Sequence, residues 1–446
     1  MPDEIRELPT LQRLVAMFRD AMAALGKDPR DADLERWAVL IHASMSGRGR
    51  SYHTLDHVFE VNGGTDALGS LAILFHDTVY CEVDGGLPRG LESHLGDALR
   101  VETGHVELGP FDPEEDVLRA LVAQLFGFTP GQAITFQTGL NELASALLAA
   151  RALRSHLSLR EVAEVVACIE ATVSFRPRGA EEQLAARLRE ADARHGLGLG
   201  PDGVDDAVRR AVRVANRDIG NFAFDDPAAF LSHTWEILPE TNPTLRMAAY
   251  TLGEYRAALT KMEGLFAWLE PERVFRSYRG EPTEEELARL YARSRTNLLL
   301  GARYLRQKLL SARVLETLAS LTGGDAPVSL FMGDLPSDER PLSLRLETLL
   351  PAGEPEAPDV DRALLRLLVE GRQKETGFDI RHSPLGAYMY ARMGDALSDR
   401  ALACADGWPL LEALPPGMIA ALTSACARIA PTRAAGLAEI ARCLAS

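Results

Sequence analysis

Three fragments carry residue types that bind hard or borderline divalent cations: Tyr52-His53-Thr54-Leu55-Asp56-His57, Phe75-His76-Asp77-Thr78-Val79-Tyr80, and, far downstream, Asn216-Arg217-Asp218. Imidazole nitrogens mixed with carboxylate oxygens suit Mn, Fe, Ni, Co, Zn or Mg, so the donors alone do not choose the ion. His53 and His57 are four residues apart and share a face if the segment is helical. Both could then bind metal, one could bind metal while the other holds substrate, or both could be structural. Leu71-Ala72-Ile73-Leu74-Phe75 is an apolar run ending in His76-Asp77. Burying an imidazole beside a carboxylate is costly unless a metal or hydrogen bonds compensate.

The elements that must position these groups read as helices. Apolar residues recur at helical spacing, as in Leu11, Leu14, Val15, Phe18, Met22 and Leu25, and again in Leu143, Leu147, Ala150 and Leu153. Alternating β-branched runs are almost absent, so the predicted fold class is all-α. Helix starts and breaks fall at Asp112-Pro113-Glu114-Glu115, Asp226-Pro227 and Glu281-Pro282-Thr283-Glu284-Glu285. Gly323-Gly324-Asp325-Ala326-Pro327 is a further break, and the proline- and acid-rich segment 351–358 reads as a linker. The expected domains are 1–240, a helical extension over 241–350, and a C-terminal helical unit over 359–446. The charged stretch from Glu284 to Leu321 fits one long helix or two antiparallel ones, in an intrachain bundle or an oligomer interface.

Composition narrows the function classes. The chain has 446 residues, 64 acidic against 48 basic, and a formal charge of −16. That balance disfavours general nucleic-acid binding. Its five cysteines lie far apart with no CxxC spacing, which fits reduced thiols and a cytoplasmic protein. The charged start of the chain lacks an apolar signal-like region, and no apolar run is long enough to predict a membrane span.

YHxxxH over 52–57 followed by FHDxVY over 75–80 resembles a branch of the HD superfamily, the metal-dependent phosphohydrolases and phosphodiesterases. The resemblance covers residues 35–225. It implies an HD-like helical core in which the first histidine ligand is His57, because Val58 and Val61 follow it. His76 and Asp77 form the histidine–aspartate pair. An NExxSA motif, Asn141-Glu142-Leu143-Ala144-Ser145-Ala146, follows only after an insertion over 84–137, which reads as a lid or partner surface. Ile169-Glu170-Ala171-Thr172 matches the family's next helix, but Phe175 stands where that helix has a histidine. Asn216-Arg217-Asp218-Ile219 matches the last acidic element, with asparagine in its first acidic place. The family's order of elements then favours Asp218 over Glu142 as the fourth ligand.

The resemblance implies one divalent ion, Mn, Mg or another transition metal such as Fe, Ni or Co, held by His57, His76, Asp77 and Asp218. Loss of the histidine at Phe175 argues against a second ion. The implied reaction is hydrolysis of a small phosphorylated molecule, such as a nucleotide, by a metal-activated water. Asp77 is counted with the catalytic groups as well as the ligands. Glu142 is a candidate general acid or base, or else complements the charge of a helix start. His53 would hold the leaving group or a substrate phosphate, or else face solvent. Arg176 would bind phosphate, or else cap a helix end before Pro177. A second reading is a non-catalytic HD-fold scaffold or regulatory protein that binds a partner through its helical extension. Outside the resemblance, His233 and Trp235 either line a pocket or pack on a core, and 377–384 is a polar loop.

Overall fold

A computed structural model describes residues 8–87, 90–102, 105–135, 138–247, 249–335, 344–350, 353–415 and 417–445. It is predominantly α-helical, as the periodicity predicts, and divides into two compact units. One comprises Met1–Ala223 with Glu270–Ser294, the other Phe224–Leu269 with Arg295–Ser446. Residues 224–240, expected with the first domain, thus fall in the second unit, and 359–446 fall there together with 295–350. The segment read as a linker explains the latter. Pro351 and Ala352 lie outside the described residues, but the N–H groups of Glu356 and Ala357 both donate to the Ala391 carbonyl, at 2.8 and 3.0 Å. That stretch is tied down onto a helix.

In the first unit the main helices are α1 (Thr10–Ala24), α2 (Asp31–Met45), α3 (Leu55–Val61), α4 (Ala67–Phe75), α5 (Val117–Phe126), α6 (Leu140–Leu153), α7 (Leu159–Ala171), α8 (Ala180–His195) and α9 (Gly200–Asp218). Helix α4 is central and packs against α1, α6, α7 and α9. Every residue from Leu68 to Phe75 is buried. Its start is fixed by Asp66, whose carboxylate accepts from the Gly69 N–H at 2.9 Å and from Arg210 Nε at 2.6 Å. Truncating a side chain such as Leu71 to alanine here costs about 2–5 kcal/mol. Helix α7 begins in a capping box, with the Ser158 hydroxyl accepting from Glu161 N–H and the Glu161 carboxylate accepting from Ser158 N–H.

The insertion is built into this core. It holds a three-stranded antiparallel sheet, β1 (Leu99–Glu102), β2 (His105–Leu108) and β3 (Ala133–Ile134), in the order β1-β2-β3, with Leu99 opposite Leu108 and Val106 opposite Ile134. Leu99, Leu108, Leu121, Val122, Leu125, Phe126 and Ile134 all join the hydrophobic core, and α5 packs on α6 and α8. The sequence reading missed these strands because two to four residues are too few for alternation to register.

The second unit contains α10 (Pro227–Thr241), α11 (Leu252–Trp268), α12 (Glu284–Gly323), α13 (Arg362–Glu370), α14 (Pro384–Ala403), α15 (Met418–Ile429) and α16 (Ala434–Ala445), with residues 284–294 of α12 assigned to the first unit. The stretch left open as one helix or two is a single helix. Trp235 is fully buried, so it packs in the core. Its indole Nε1 donates to Asp379 Oδ2 at 3.1 Å, which ties the 377–384 loop inward. None of the five cysteines is in a disulfide, and among the described residues no helix is long and apolar enough to cross a membrane.

Candidate metal centre

Three elements of the first unit deliver the four candidate ligands. His57 lies on α3, His76 and Asp77 follow the last turn of α4, and Asp218 is the final residue of α9. One donor atom from each of the four lies within 4.8 Å of all the others. His57 Nε2 and His76 Nε2 stand 3.0 and 3.1 Å from Asp218 Oδ1, and His76 Nε2 is 3.0 Å from Asp77 Oδ2. His76 Nδ1 donates to the Ile73 carbonyl at 2.7 Å, which leaves the Nε2 lone pair of the neutral ring directed at the carboxylates.

The residues fit a cation. Burial alone would lower the His76 pKa, yet Asp77 and Asp218 outweigh it and hold the imidazolium well above its ordinary range. Burial would likewise raise Asp77, but His76, then His53 and His57, pull it down. Asp218, opposed by burial and drawn down chiefly by His76, falls to about 2. Two nearly buried carboxylates thus stay ionised, and Asp77 Oδ2 is hidden from solvent with His76 Nε2 3.0 Å away. Such an oxygen is costly to bury unless a cation meets it. This group could hold a metal ion.

Surrounding side chains fix the ligands. Arg50, whose side chain is fully buried, donates to the Asp77 carbonyl at 2.6 Å and the Thr78 carbonyl at 3.1 Å, and pairs with Asp84 at 2.7 Å. It therefore ties the 50–57 segment to the turn that carries Asp77. The NExxSA motif holds the same turn from the other side. Ser145 Oγ accepts from the Val79 N–H and Asn141 Oδ1 from the Cys81 N–H, each at 3.0 Å. The sequence drew attention to that motif without giving Asn141 and Ser145 these roles. Arg50 offered no local signal, because its partners lie about one helix-turn-helix length away in the chain.

Glu142 and His53 stand beside the four ligands. Glu142 Oε2 is hidden from solvent without a hydrogen-bond partner, and burial, reinforced by Asp77 and Asp218, pushes its pKa up to about 7. His53 packs edge-on against the Tyr52 and Tyr80 rings, with centroids 4.9 and 4.5 Å away. It is close enough to help lower Asp77. Arg176 is committed elsewhere, paired with the fully buried Glu170, which Arg187 also meets at 2.7 Å. In the sequence pattern Glu170 carries no role beyond its place in the helix motif. Phe175 adopts a left-handed backbone with φ 53°, unusual for so bulky a residue, and its ring meets Phe222 edge-on at 6.0 Å.

No family model, no curated protein and no solved structure matches the chain.

Proposed function

We propose that this protein is an HD-type metal-dependent phosphohydrolase or phosphodiesterase acting on a small phosphorylated molecule such as a nucleotide. The observation that supports this reading best is the convergence of His57, His76, Asp77 and Asp218 from three separated helices onto one point. Those four side chains would hold one divalent ion, Mn or Mg before Fe, Ni or Co. When bound, the ion supplies Lewis-acid polarisation of the phosphate ester and a more acidic water.

The chain's own groups do the rest. Glu142, titrating near neutrality at its carboxylate, takes a proton from the attacking water or returns one to the leaving oxygen. His53, close enough to Asp77 to lower its pKa, would contact the departing group. Arg50, Asn141 and Ser145 orient the turn that carries Asp77.

The test is elemental analysis of protein purified without chelator, then a screen of nucleotides and simple phosphoesters with added Mn or Mg. The reading expects about one ion per chain and turnover that His76→Ala abolishes. Bound metal with no turnover of any phosphoester would instead favour a non-catalytic HD-fold scaffold.

A further inference from the structure

The turn that carries Asp77 runs directly into a one-turn helix, Cys81–Asp84, and the side chains that hold the turn from either side also end on that helix. From one side, Asn141 Oδ1 accepts from the Cys81 N–H and Asn141 Nδ2 donates to Glu82 Oε2, each at 3.0 Å. From the other, both Asp84 oxygens accept from Arg50, Oδ1 from Nε at 3.1 Å and Oδ2 from Nη2 at 2.7 Å. A paired contact of this kind fixes the plane of the guanidinium as well as its position.

The remaining Arg50 donors bond to backbone. Nη1 donates to the Asp77 carbonyl at 2.6 Å and to the His53 carbonyl at 3.4 Å, and Nη2 also donates to the Thr78 carbonyl at 3.1 Å. One guanidinium thus joins the entry of α3, which carries His57, to the turn that carries Asp77. The Arg50 side chain is 0% exposed and that of Asp84 7%, so Asp84 balances a charge that is costly to leave alone in the interior. Room for the pair is made at Gly47, where a Cβ would stand 2.8 Å from Asp84 Oδ1, closer than non-bonded atoms settle.

From this geometry we infer that Asp84 is a positioning residue of the metal centre. Asp84 holds Arg50, Arg50 holds the backbone on which His57 and Asp77 are mounted, and the affinity for the ion depends on that chain although Asp84 is not one of the four ligands. Ligands already fixed by their surroundings lose less freedom when they close on an ion. The inference rests on the metal-binding reading proposed above and adds to it a residue from the start of the insertion.

The test is calorimetric titration of the chelator-treated full chain with manganese chloride. The wild-type chain is expected to bind about one Mn. Gly47→Ala displaces the Asp84 carboxylate without removing a charge or a hydrogen-bonding side chain; Asp84→Asn keeps the shape and removes the charge. Each, as folded protein, is expected to raise the Mn dissociation constant about 10–100-fold. Arg210→Gln breaks the ion pairs with Asp66, at the far end of α4, and with Glu164, and so serves as the control for lost stability alone. It is expected to lower the unfolding temperature and leave Mn affinity unchanged. The inference is overturned if Gly47→Ala and Asp84→Asn bind Mn as tightly as the wild type, or if Arg210→Gln weakens Mn to the same degree. A wild-type chain that binds no Mn overturns the metal-binding reading, and this inference with it.

Discussion

Asn216 grips the backbone of Arg276 from both sides: the Arg276 N–H donates to Asn216 Oδ1 at 2.8 Å, and Asn216 Nδ2 donates to the Arg276 carbonyl at 2.9 Å. Only a primary amide side chain can accept and donate in this way at neutral pH. That is the physical reason for asparagine where the resembled motif has an acid. The grip sits two residues before Asp218, so it steadies the end of α9 that carries the ligand. Asn216→Asp keeps the acceptor, loses the donor and sets a carboxylate against a carbonyl. A local loss of about 1–3 kcal/mol is expected, read as faster hydrogen exchange at the Arg276 amide. Unchanged exchange would show that the grip contributes nothing.

Replacing a ligand tests the centre itself. His76→Ala or Asp218→Ala should reduce bound Mn from about one ion per chain to near zero. His53→Ala, which removes a neighbour and no ligand, should leave metal content intact. Elemental analysis of the folded variants separates the two classes, and full Mn occupancy in His76→Ala would sink the assignment.

Without metal, stability should depend on pH in two directions. The His76 pKa is raised above 6.5, so its contribution is complete below pH 6.5 and is lost as pH rises through the folded value. Asp77 and Asp218 are lowered from 3.8, Asp218 to about 2, so their contributions are present above pH 3.8 and lost as pH falls through the folded values. The metal-depleted protein should therefore be most stable between about pH 4 and 6.5. Added Mn should remove the alkaline loss, because the deprotonated ring then serves as a ligand. Thermal unfolding across pH, with and without Mn, measures both limbs.

Glu142→Gln keeps the shape of the side chain and removes its titration. Turnover of a phosphoester should fall by about 10²–10⁴, and the rising limb of the rate profile at or below pH 7 should disappear. Metal content should not change. Loss of metal in Glu142→Gln would instead make Glu142 a ligand.

The helices and the His76-Asp77 pair were legible in the sequence because both depend on short-range pattern, periodic burial and histidine beside aspartate at the end of an apolar run, whereas His57 and Asp218 were singled out by the motif order of the resembled family. What escaped it depends on distant partners. Arg50 pairs with Asp84, Asn216 with Arg276, and Lys308 with Asp379, and nothing local marks any of these pairs. Whether 284–321 formed one helix or two was also undecidable from pattern. Gly301 resembles a breaker, yet a Cβ there would stand 2.8 and 3.0 Å from the Phe266 and Phe230 rings. It is a point of close packing in α12, and the helix runs through it.

The way α4 and α9 end has a kinetic consequence. Both helices meet the four-ligand group by their carboxyl-terminal ends, where aligned peptide dipoles leave about half a negative charge apiece. Added to the Asp77 and Asp218 carboxylates, they make the four-residue group attractive to cations and repellent to anions. On the proposed function, binding would then be ordered: the ion would enter first and offset most of that negative charge, and an anionic substrate would follow.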